Sequence, residues 1–417
     1  MIQRGYRYRL RPTSGQDRLF GQFAGVCRLI YNLALEQRRD HWRAYKRSNG
    51  RPISYPSQAR ELTALRAEYD WIAVVSQTCQ QQALRDLDRA YQSWFNGVAK
   101  YPSPRRKGRN DSFRFQGREL ETRQLSGRWS EVRLPKIGWV RYRDTRPLTG
   151  TIKNATISRA ANGWHISFTL EIAHDRPAAL AGSVGIDRGV AQTLALSTGE
   201  LLSVPASLHR IEGHQRRAQR VLSRRKRGSK RYAKARRRVA ALSARRARIR
   251  KDWHHRLSLD LASRFGTVVL EDLNTKGMTA SARGTVAEPG RGVRQKAGLN
   301  RAILSQGWHL FETLLNYKLD ERGGALVRVP AHNTSRTCSA CGAVDSRSRK
   351  SQAIFVCTNC GHFENADTNA AKVILRRNTA SMLVDEPGGR SGEARTGDGS
   401  NSTLLLKNPP ASEGGRC

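Results

Sequence analysis

Thirty residues towards the carboxyl-terminal end hold two kinds of site chemistry. Cys338, Cys341, Cys357 and Cys360 follow the spacing C-x2-C-x15-C-x2-C. Four thiolates so spaced can close a tetrahedral shell around one structural Zn2+. Seven residues past Cys360 stands Asp367, at the head of the segment D-T-N-A-A-K-V-I-L. Two further acids are placed unlike surface acids. Asp187 ends the apolar run Val184-Gly185-Ile186, and Glu271 ends Val268-Val269-Leu270. Carboxylates at the ends of neighbouring buried strands, joined by one from a helix start, can converge on hard divalent cations such as a pair of Mg2+ ions. Such a pair can activate water and stabilise the leaving oxygen of a phosphodiester. Each acid alone reads as readily as a turn or cap residue. The ordered set of three is what points to catalysis. Asp272 rivals Glu271 as a ligand, but strand alternation turns it to the opposite face.

Charge supplies the counterpart. The 417 residues carry 75 Lys and Arg against 34 Asp and Glu, a net +41. An excess of this size repels itself unless a polyanion neutralises it, so nucleic acid is the expected partner. Residues 210–251 are densest, with nineteen Lys or Arg against a single acid, Glu212. Ala-rich composition predicts two long helices around Gly228-Ser229. Their candidate nucleic-acid contacts are Arg224, Arg225, Lys226, Arg227, Lys230, Arg231, Arg236, Arg237 and Arg238; a merely solvated charge face or a disordered basic arm is the competing reading. Trp253, His254 and His255 could stack on bases or pack a helix. Of the seven cysteines, Cys27 and Cys79 fall on predicted helix faces and read as core. Four clustered cysteines are metal arithmetic and not a disulfide framework, which suits a reducing compartment. The N-terminus lacks the apolar core of a signal peptide, and no run approaches a membrane span. The expectation is a cytoplasmic, nucleoid-associated protein with no membrane partner.

These residues need elements to hold them. Residues 4–10 alternate as a half-buried strand with a basic face. Leu19, Phe23, Val26, Ile30 and Leu33 open a helical region over 13–98, and 99–111 reads as a basic loop. Short alternating runs over 112–173 predict a β domain, barrel-like and interrupted by the helical insertion. A strand ends at Asp187 and a hairpin follows. Trp253 to Phe265 predicts a separate helix, and Val268–Leu270 a buried, parallel strand. Next come a polar loop at 277–298, one helix over 299–321 and a strand at 325–329. The Gly, Ser and Pro-rich tail, 379–417, is expected to be disordered.

Together G-I-D-R-G at 185–189, V-L-E-D-L-N at 269–274, T-S-R-T-C-S-A-C-G at 334–342, C-T-N-C-G at 357–361 and D-T-N-A-A at 367–371 resemble the TnpB (OrfB) family of insertion-sequence-encoded RNA-guided nucleases, relatives of the type V CRISPR effectors. The N-terminal Y-R-L-R-P-T, Gln16 and C-R-L-I-Y-N-L-A-L at 27–35 are similar to its start. The resemblance implies a multidomain α+β fold. Its RNase H-like (RuvC) α/β nuclease domain would be split over 181–335 and 364–378, including basic helices 208–255, with a zinc ribbon at 336–363. A wedge-type β-barrel, split over 1–12 and 112–180, would carry a helical recognition insertion at 13–111. Asp187, Glu271 and Asp367 correspond to the family's catalytic acids. The implied partners are an element-derived guide RNA and double-stranded target DNA, with a separate transposase encoded by the same element. The implied activity is Mg2+-dependent cleavage of DNA beside a short target-adjacent motif. The alternatives are a guide-RNA-dependent DNA-binding repressor that does not cut, or a zinc-ribbon DNA-binding accessory of transposition. One departure stands out: where the family often has an acidic-basic-acidic triplet, this chain reads Asn365-Ala366-Asp367.

Overall fold

The computed structural model describes residues 1–45, 53–109 and 111–384. The chain divides into two units, the first covering residues 1–175 and the second beginning at Arg176.

The first unit is built on one seven-stranded sheet and a helical insertion. Strand β1 (Ile2–Arg11) is followed by α1 (Ser14–Tyr45), α2 (Tyr55–Glu68), the single turn α3 (Asp70–Ala73) and α4 (Gln77–Phe95). Then come β2 (Ser112–Gln116), β3 (Glu121–Ser126), β4 (Trp129–Leu134), β5 (Gly138–Arg143), β6 (Thr151–Ala160) and β7 (Gly163–Ile172). The order is β2-β6-β7-β1-β5-β4-β3, so β2 and β3 end the sheet and do not pair with each other. Strand β1 is its spine: Ile2 to Arg9 pair with β7, and Leu10 and Arg11 with β5. Helix α1 starts at a reciprocal cap in which Thr13 N–H donates to Gln16 Oε1 and Gln16 N–H to Thr13 Oγ1, at 3.0 and 3.3 Å. Its buried stripe runs through Phe20, Phe23, Cys27, Ile30 and Ala34. It is rotated from the expected stripe, for Leu33 is exposed. Phe20 and Phe23 meet Phe113 of β2 at 5.7 and 5.2 Å between ring centres, joining helix to sheet in one core.

The second unit is an α/β layer structure. It contains β8 (Ser183–Asp187), β9 (Leu194–Leu196), β10 (Leu201–Leu202), α5 (Ala206–Ser223), α6 (Lys230–Arg264), β11 (Thr267–Asp272) and the single turn α7 (Thr275–Met278). After these come α8 (Val293–Gln306), α9 (Trp308–Asp320), β12 (Ala325–Pro330), the ribbon hairpin β13 (Ile354–Val356) and β14 (Phe363–Asn365), and α10 (Ala366–Val384). The main sheet runs β10-β9-β8-β11-β12, with β8, β11 and β12 parallel. Alternation divides its two faces. Val184, Ile186, Val268 and Leu270 pack with Leu257, Leu261, Phe311, Leu315 and Leu319 of α6 and α9. Val269 and Val329 pack instead with Ile374 of α10.

Three expectations change at the level of elements. The helix expected from Trp253 is the second half of α6, which runs unbroken for 35 residues. The single helix expected over 299–321 is two: α8 begins at Val293, inside the expected loop, and Gly307 breaks the run in the left-handed region at φ 74°. Its apolar period continues through the break, so period alone does not reveal it. Helix α10 continues to Val384, six residues into the expected tail. Residues 385–417 lie outside the described residues.

Candidate active site and metal centre

Strand parity brings two of the three acids together. Val184 and Ile186 face α6 and α9, so Gly185 and Asp187 face α10; Val268 and Leu270 likewise leave Val269 and Glu271 on the α10 side. Parallel pairing sets Leu270 opposite Ile186, which brings Glu271 level with Asp187 at the carboxyl ends of β8 and β11. Asp272 is exposed. Gly185 permits the third approach. A Cβ there would lie 2.2 Å from the carbonyl oxygen of Ala371 and 2.8 Å from the amide nitrogen of Leu375. With no side chain on β8, the backbone of α10 comes down onto the strand.

Asp367 lies in the first turn of α10. The Asn365 side-chain oxygen accepts the amide protons of Asp367 and Thr368 at 3.0 and 3.2 Å, so Asn365 caps the helix. Ala366 is fully buried in the ribbon's small core with Cys338, Phe355 and Cys357. The ribbon supplies a cation from elsewhere: Arg349 Nη2 lies 3.0 Å from Asp367 Oδ1.

Electrostatics couple the three acids. Burial raises the Asp187 carboxyl, and Glu271 and Asp367 raise it further, to about 7; Arg349 opposes them. Burial also raises Glu271, while a hydrogen bond from Thr334 Oγ1 and the charges of Arg188 and Arg377 pull it down. Glu271 and Asp367 are each 6% exposed. Arg188, next to Asp187, is buried; it donates to the Glu271 carbonyl and pairs with Glu312 at 3.3 Å. Arg328 also pairs with Glu312. A buried cation beside two buried acids offsets part of their desolvation cost.

The four cysteines meet as their spacing predicts. Their Sγ atoms all lie within 4.8 Å of one another, the one such metal-ligating group among the described residues. The Cys338–Cys360 and Cys341–Cys357 separations are 3.8 and 3.6 Å. A tetrahedron of Zn–S bonds of about 2.3 Å needs edges of about 3.8 Å, so the donors fit Zn2+. Each C-x2-C knuckle closes on a glycine in the left-handed region, Gly342 at φ 81° and Gly361 at φ 71°. The crowded thiols titrate as a set: the backbone N–H of Ala343 leads in drawing Cys341 down, while Cys360, despite the His362 N–H, is raised by its neighbouring thiols. The ribbon is tied to α10 through Asn369: its Oδ1 accepts from Ser339 N–H and its Nδ2 donates to the Thr337 carbonyl, both at 2.8 Å.

The nine candidate cations of α5, α6 and their connection are all exposed, and none forms an ion pair among the described residues. Ser229 caps α6, accepting from Tyr232 N–H at 3.0 Å. His254 cannot stack on a base from its place in the fold. It is 1% exposed, its Nε2 lies 2.8 Å from the Gln306 carbonyl, and burial pushes it down to about 4, which keeps it neutral. Cys27 and Cys79 are buried, as expected of core residues. Sequence reasoning missed Arg349, Arg188, Thr334 and the steric role of Gly185. The available signal was weak: G-I-D-R-G and T-S-R-T contain three of these residues, while Arg349 lies in a stretch without periodicity.

Comparison with known proteins follows this geometry. Family models match residues 167–282 ("Probable transposase", OrfB of IS605), 308–374 ("Cas12f1-like, TNB domain") and 1–47 ("Helix-turn-helix domain"). In the last range the described residues form strand β1 and the single long helix α1. An Escherichia coli K12 protein named "Putative RNA-guided DNA endonuclease InsQ" is 36% identical over 91% of this chain and 94% of its own. The chain belongs to the TnpB (OrfB) family. A Streptomyces pristinaespiralis relative named "Putative RNA-guided DNA endonuclease" is 30% identical, covering 92% of both chains. Among solved structures, Cas12f1 in its complex with sgRNA and target DNA aligns with a TM-score of 0.56 at 15% identity, covering 87% of this chain and 83% of that one. The mini-RNA-guided endonuclease CRISPR-Cas phi3 aligns at 0.50 and 10% identity, covering 90% and 92%. These likenesses extend the family's mixed α/β, multidomain architecture to the Cas12 effectors. Among the described residues no helix is long and apolar enough to cross a membrane.

Proposed function

We propose that this protein is an RNA-guided DNA endonuclease of a transposable element, cutting target DNA next to a short motif by metal-dependent phosphodiester hydrolysis. The observation that carries this reading is that Asp187 and Glu271 end adjacent parallel strands on the face covered by α10, whose first turn carries Asp367. Buried carboxylates facing one another across a fold are costly to stability and suited to a divalent cation, although among the described residues only the four cysteines, and not these acids, are gathered closely enough to form a metal-holding group. Their oxygens are the hard donors that Mg2+ takes, and a bound cation would offset both the burial that chiefly raises Asp187 and the repulsion from Glu271 and Asp367. Two Mg2+ ions would supply an activated water and a stabilised leaving oxygen. The chain's own part is to hold the three carboxylates: Asp187 and Glu271 on rigid parallel strands, Asp367 on a helix start steadied by Asn365 and Arg349.

The second unit is read as a RuvC-like, RNase H-like nuclease domain over 181–335 and 364–378, with the zinc ribbon at 336–363. The three-strand parallel core flanked by helices on both faces supports that reading. The first unit is read as a wedge-type barrel over 1–12 and 112–180 with a recognition insertion at 13–111; the placement of α1–α4 between β1 and β2 supports the split, while the end strands β2 and β3 do not pair to close the sheet. The exposed cations of 224–238 are read as contacts to guide RNA or to its hybrid with DNA, supported by their lack of internal partners among the described residues.

The test is to purify the chain with its co-bound RNA, sequence that RNA and challenge matched plasmids bearing a randomised flank. Asp187→Ala should abolish cleavage and leave RNA-directed DNA binding nearly intact. A variant that still cuts sinks the metal-site assignment; the lack of any specific RNA sinks the guided reading.

A further inference from the structure

The loop from Lys100 to Arg109 has no regular structure, yet its backbone is fastened at several points. Asn32 of α1 makes a two-way clasp on Arg105: its Nδ2 donates to the Arg105 carbonyl at 3.0 Å and its Oδ1 accepts from the Arg105 amide at 2.8 Å. The Arg105 guanidinium lies 4.1 Å from the centre of the Tyr31 ring and pairs with Asp86 of α4 at 2.9 Å. Asp86 also holds Arg114 of β2 at 2.7 Å, which joins loop, helix and sheet through one carboxylate. Further on, Asp111 Oδ2 accepts from Gly108 N–H at 2.9 Å, while Arg28 holds its other oxygen at 2.7 Å. The acids near this loop are thus spent on its anchors, and Lys100, Lys107 and Arg109 remain exposed.

Beside the loop an aromatic stack ends in solvent. Tyr101 joins Tyr91 through their hydroxyls at 3.0 Å, and Trp94 packs on Tyr101 at 5.1 Å between ring centres. Phe95 lies against Trp94 at 4.8 Å between ring centres, the rings tilted by 44°, and is 53% exposed, so its outer face is open to a base. An aromatic face backed by other rings costs little entropy to present, and any nucleobase can stack on it. From Tyr101 to Lys107 the chain reaches at most about 21 Å, so one strand of several nucleotides can span the platform and the cations.

We propose that the end of α4 and this fastened loop form a strand-binding site, with an unpaired or terminal nucleobase on Phe95 and adjacent phosphates on Lys100, Lys107 and Arg109. The anchors on Arg105, from Asn32 and Asp86, and on Gly108, from Asp111, hold the backbone that carries Lys107 and Arg109, which reduces the ordering cost of binding. The inference rests on the proposed nucleic-acid-guided function and assigns part of it to residues of the first unit.

The test uses the full chain with its co-purified RNA and target DNA, irradiated with short-wave ultraviolet light and digested. A nucleotide should be found attached within the peptide holding Phe95 to Tyr101. Its mass tells uridine of the RNA from thymidine of the DNA, and either supports the site. In parallel, mixed-sequence single strands of RNA and DNA are titrated at several salt concentrations. Phe95→Ala should weaken binding of at least one of them roughly five- to a hundred-fold without changing the salt slope. Lys107→Ala with Arg109→Ala should reduce that slope by about 1.4. No attached nucleotide on this peptide, with both variants binding as wild type, overturns the proposal. Cleavage by the same wild-type preparation reports separately on the guided-nuclease reading, so the two can fail independently.

Discussion

Arg349 of the ribbon and Asp367 of α10 form a half-buried ion pair at 3.0 Å, across eighteen residues of sequence that include two zinc-ligand cysteines. The ribbon therefore does more than fold around a metal; it sets the charge beside the third acid. Arg349→Ala should lower single-turnover cleavage by about 10- to 100-fold, the scale of a small misplacement at a reacting centre. DNA binding by the RNA complex should hardly change. Arg349→Lys should recover part of the rate, because it restores charge without the planar fork. Wild-type rates in the alanine variant would mean the pair is only a surface contact.

Gly185 sets the distance between β8 and α10. The Gly185→Ala methyl would have to share space with the Ala371 carbonyl at 2.2 Å. The expected cost is about 1–3 kcal/mol of stability, with loss of cleavage out of proportion to the loss of folded protein. Urea unfolding and cleavage measured on the same preparation check both parts. An active variant with an unchanged urea midpoint would show that the helix has room to move.

Without divalent cations the acid cluster should make stability pH-dependent. The Asp187 carboxyl is raised from 3.8 to about 7 in the folded chain. The folded state therefore binds more protons than the unfolded state between those values, and stability falls as pH rises from about 4 to about 7. Melting in Mg2+-free buffer should be lower at pH 8 than at pH 6.5 by more in wild type than in Asp187→Asn. Added Mg2+ should raise the wild-type melting temperature at pH 8 and do little for the variant. Equal pH profiles in the two proteins would exclude Asp187 as the source.

Zinc should be present at one ion per chain, measurable by elemental analysis. Cys357→Ser should lose it and melt the ribbon, since the ribbon's own core is only Cys338, Phe355, Cys357 and Ala366 with Ala343 against it. Cleavage should fall with the metal, because Arg349 and the Asn369 clasp lose their frame. Full activity in a zinc-free chain would separate the ribbon from the acids.

The sequence alone was enough for features whose cause is local. Ligand spacing names a four-thiolate zinc site because a knuckle is a short-range geometry. Apolar runs ending in Asp187 and Glu271 mark buried strands, and alternation puts each acid on a definite face. The two long basic helices around Gly228-Ser229 were legible, but the unbroken run of α6 through Trp253 and the break at Gly307 were not. A charged helix shows little apolar period, and in sequence Leu304 continues the spacing of Trp308, Phe311 and Leu315 across Gly307, although in α8 it is exposed and Ile303 is buried instead. Tertiary structure alone decided that Gly185 admits the backbone of α10, that Arg349 pairs with Asp367, and that Asn32 and Asp86 fasten a loop that reads as merely basic. Each of these joins residues far apart in the chain, and their partners are set by strand order and helix packing, which no local pattern encodes.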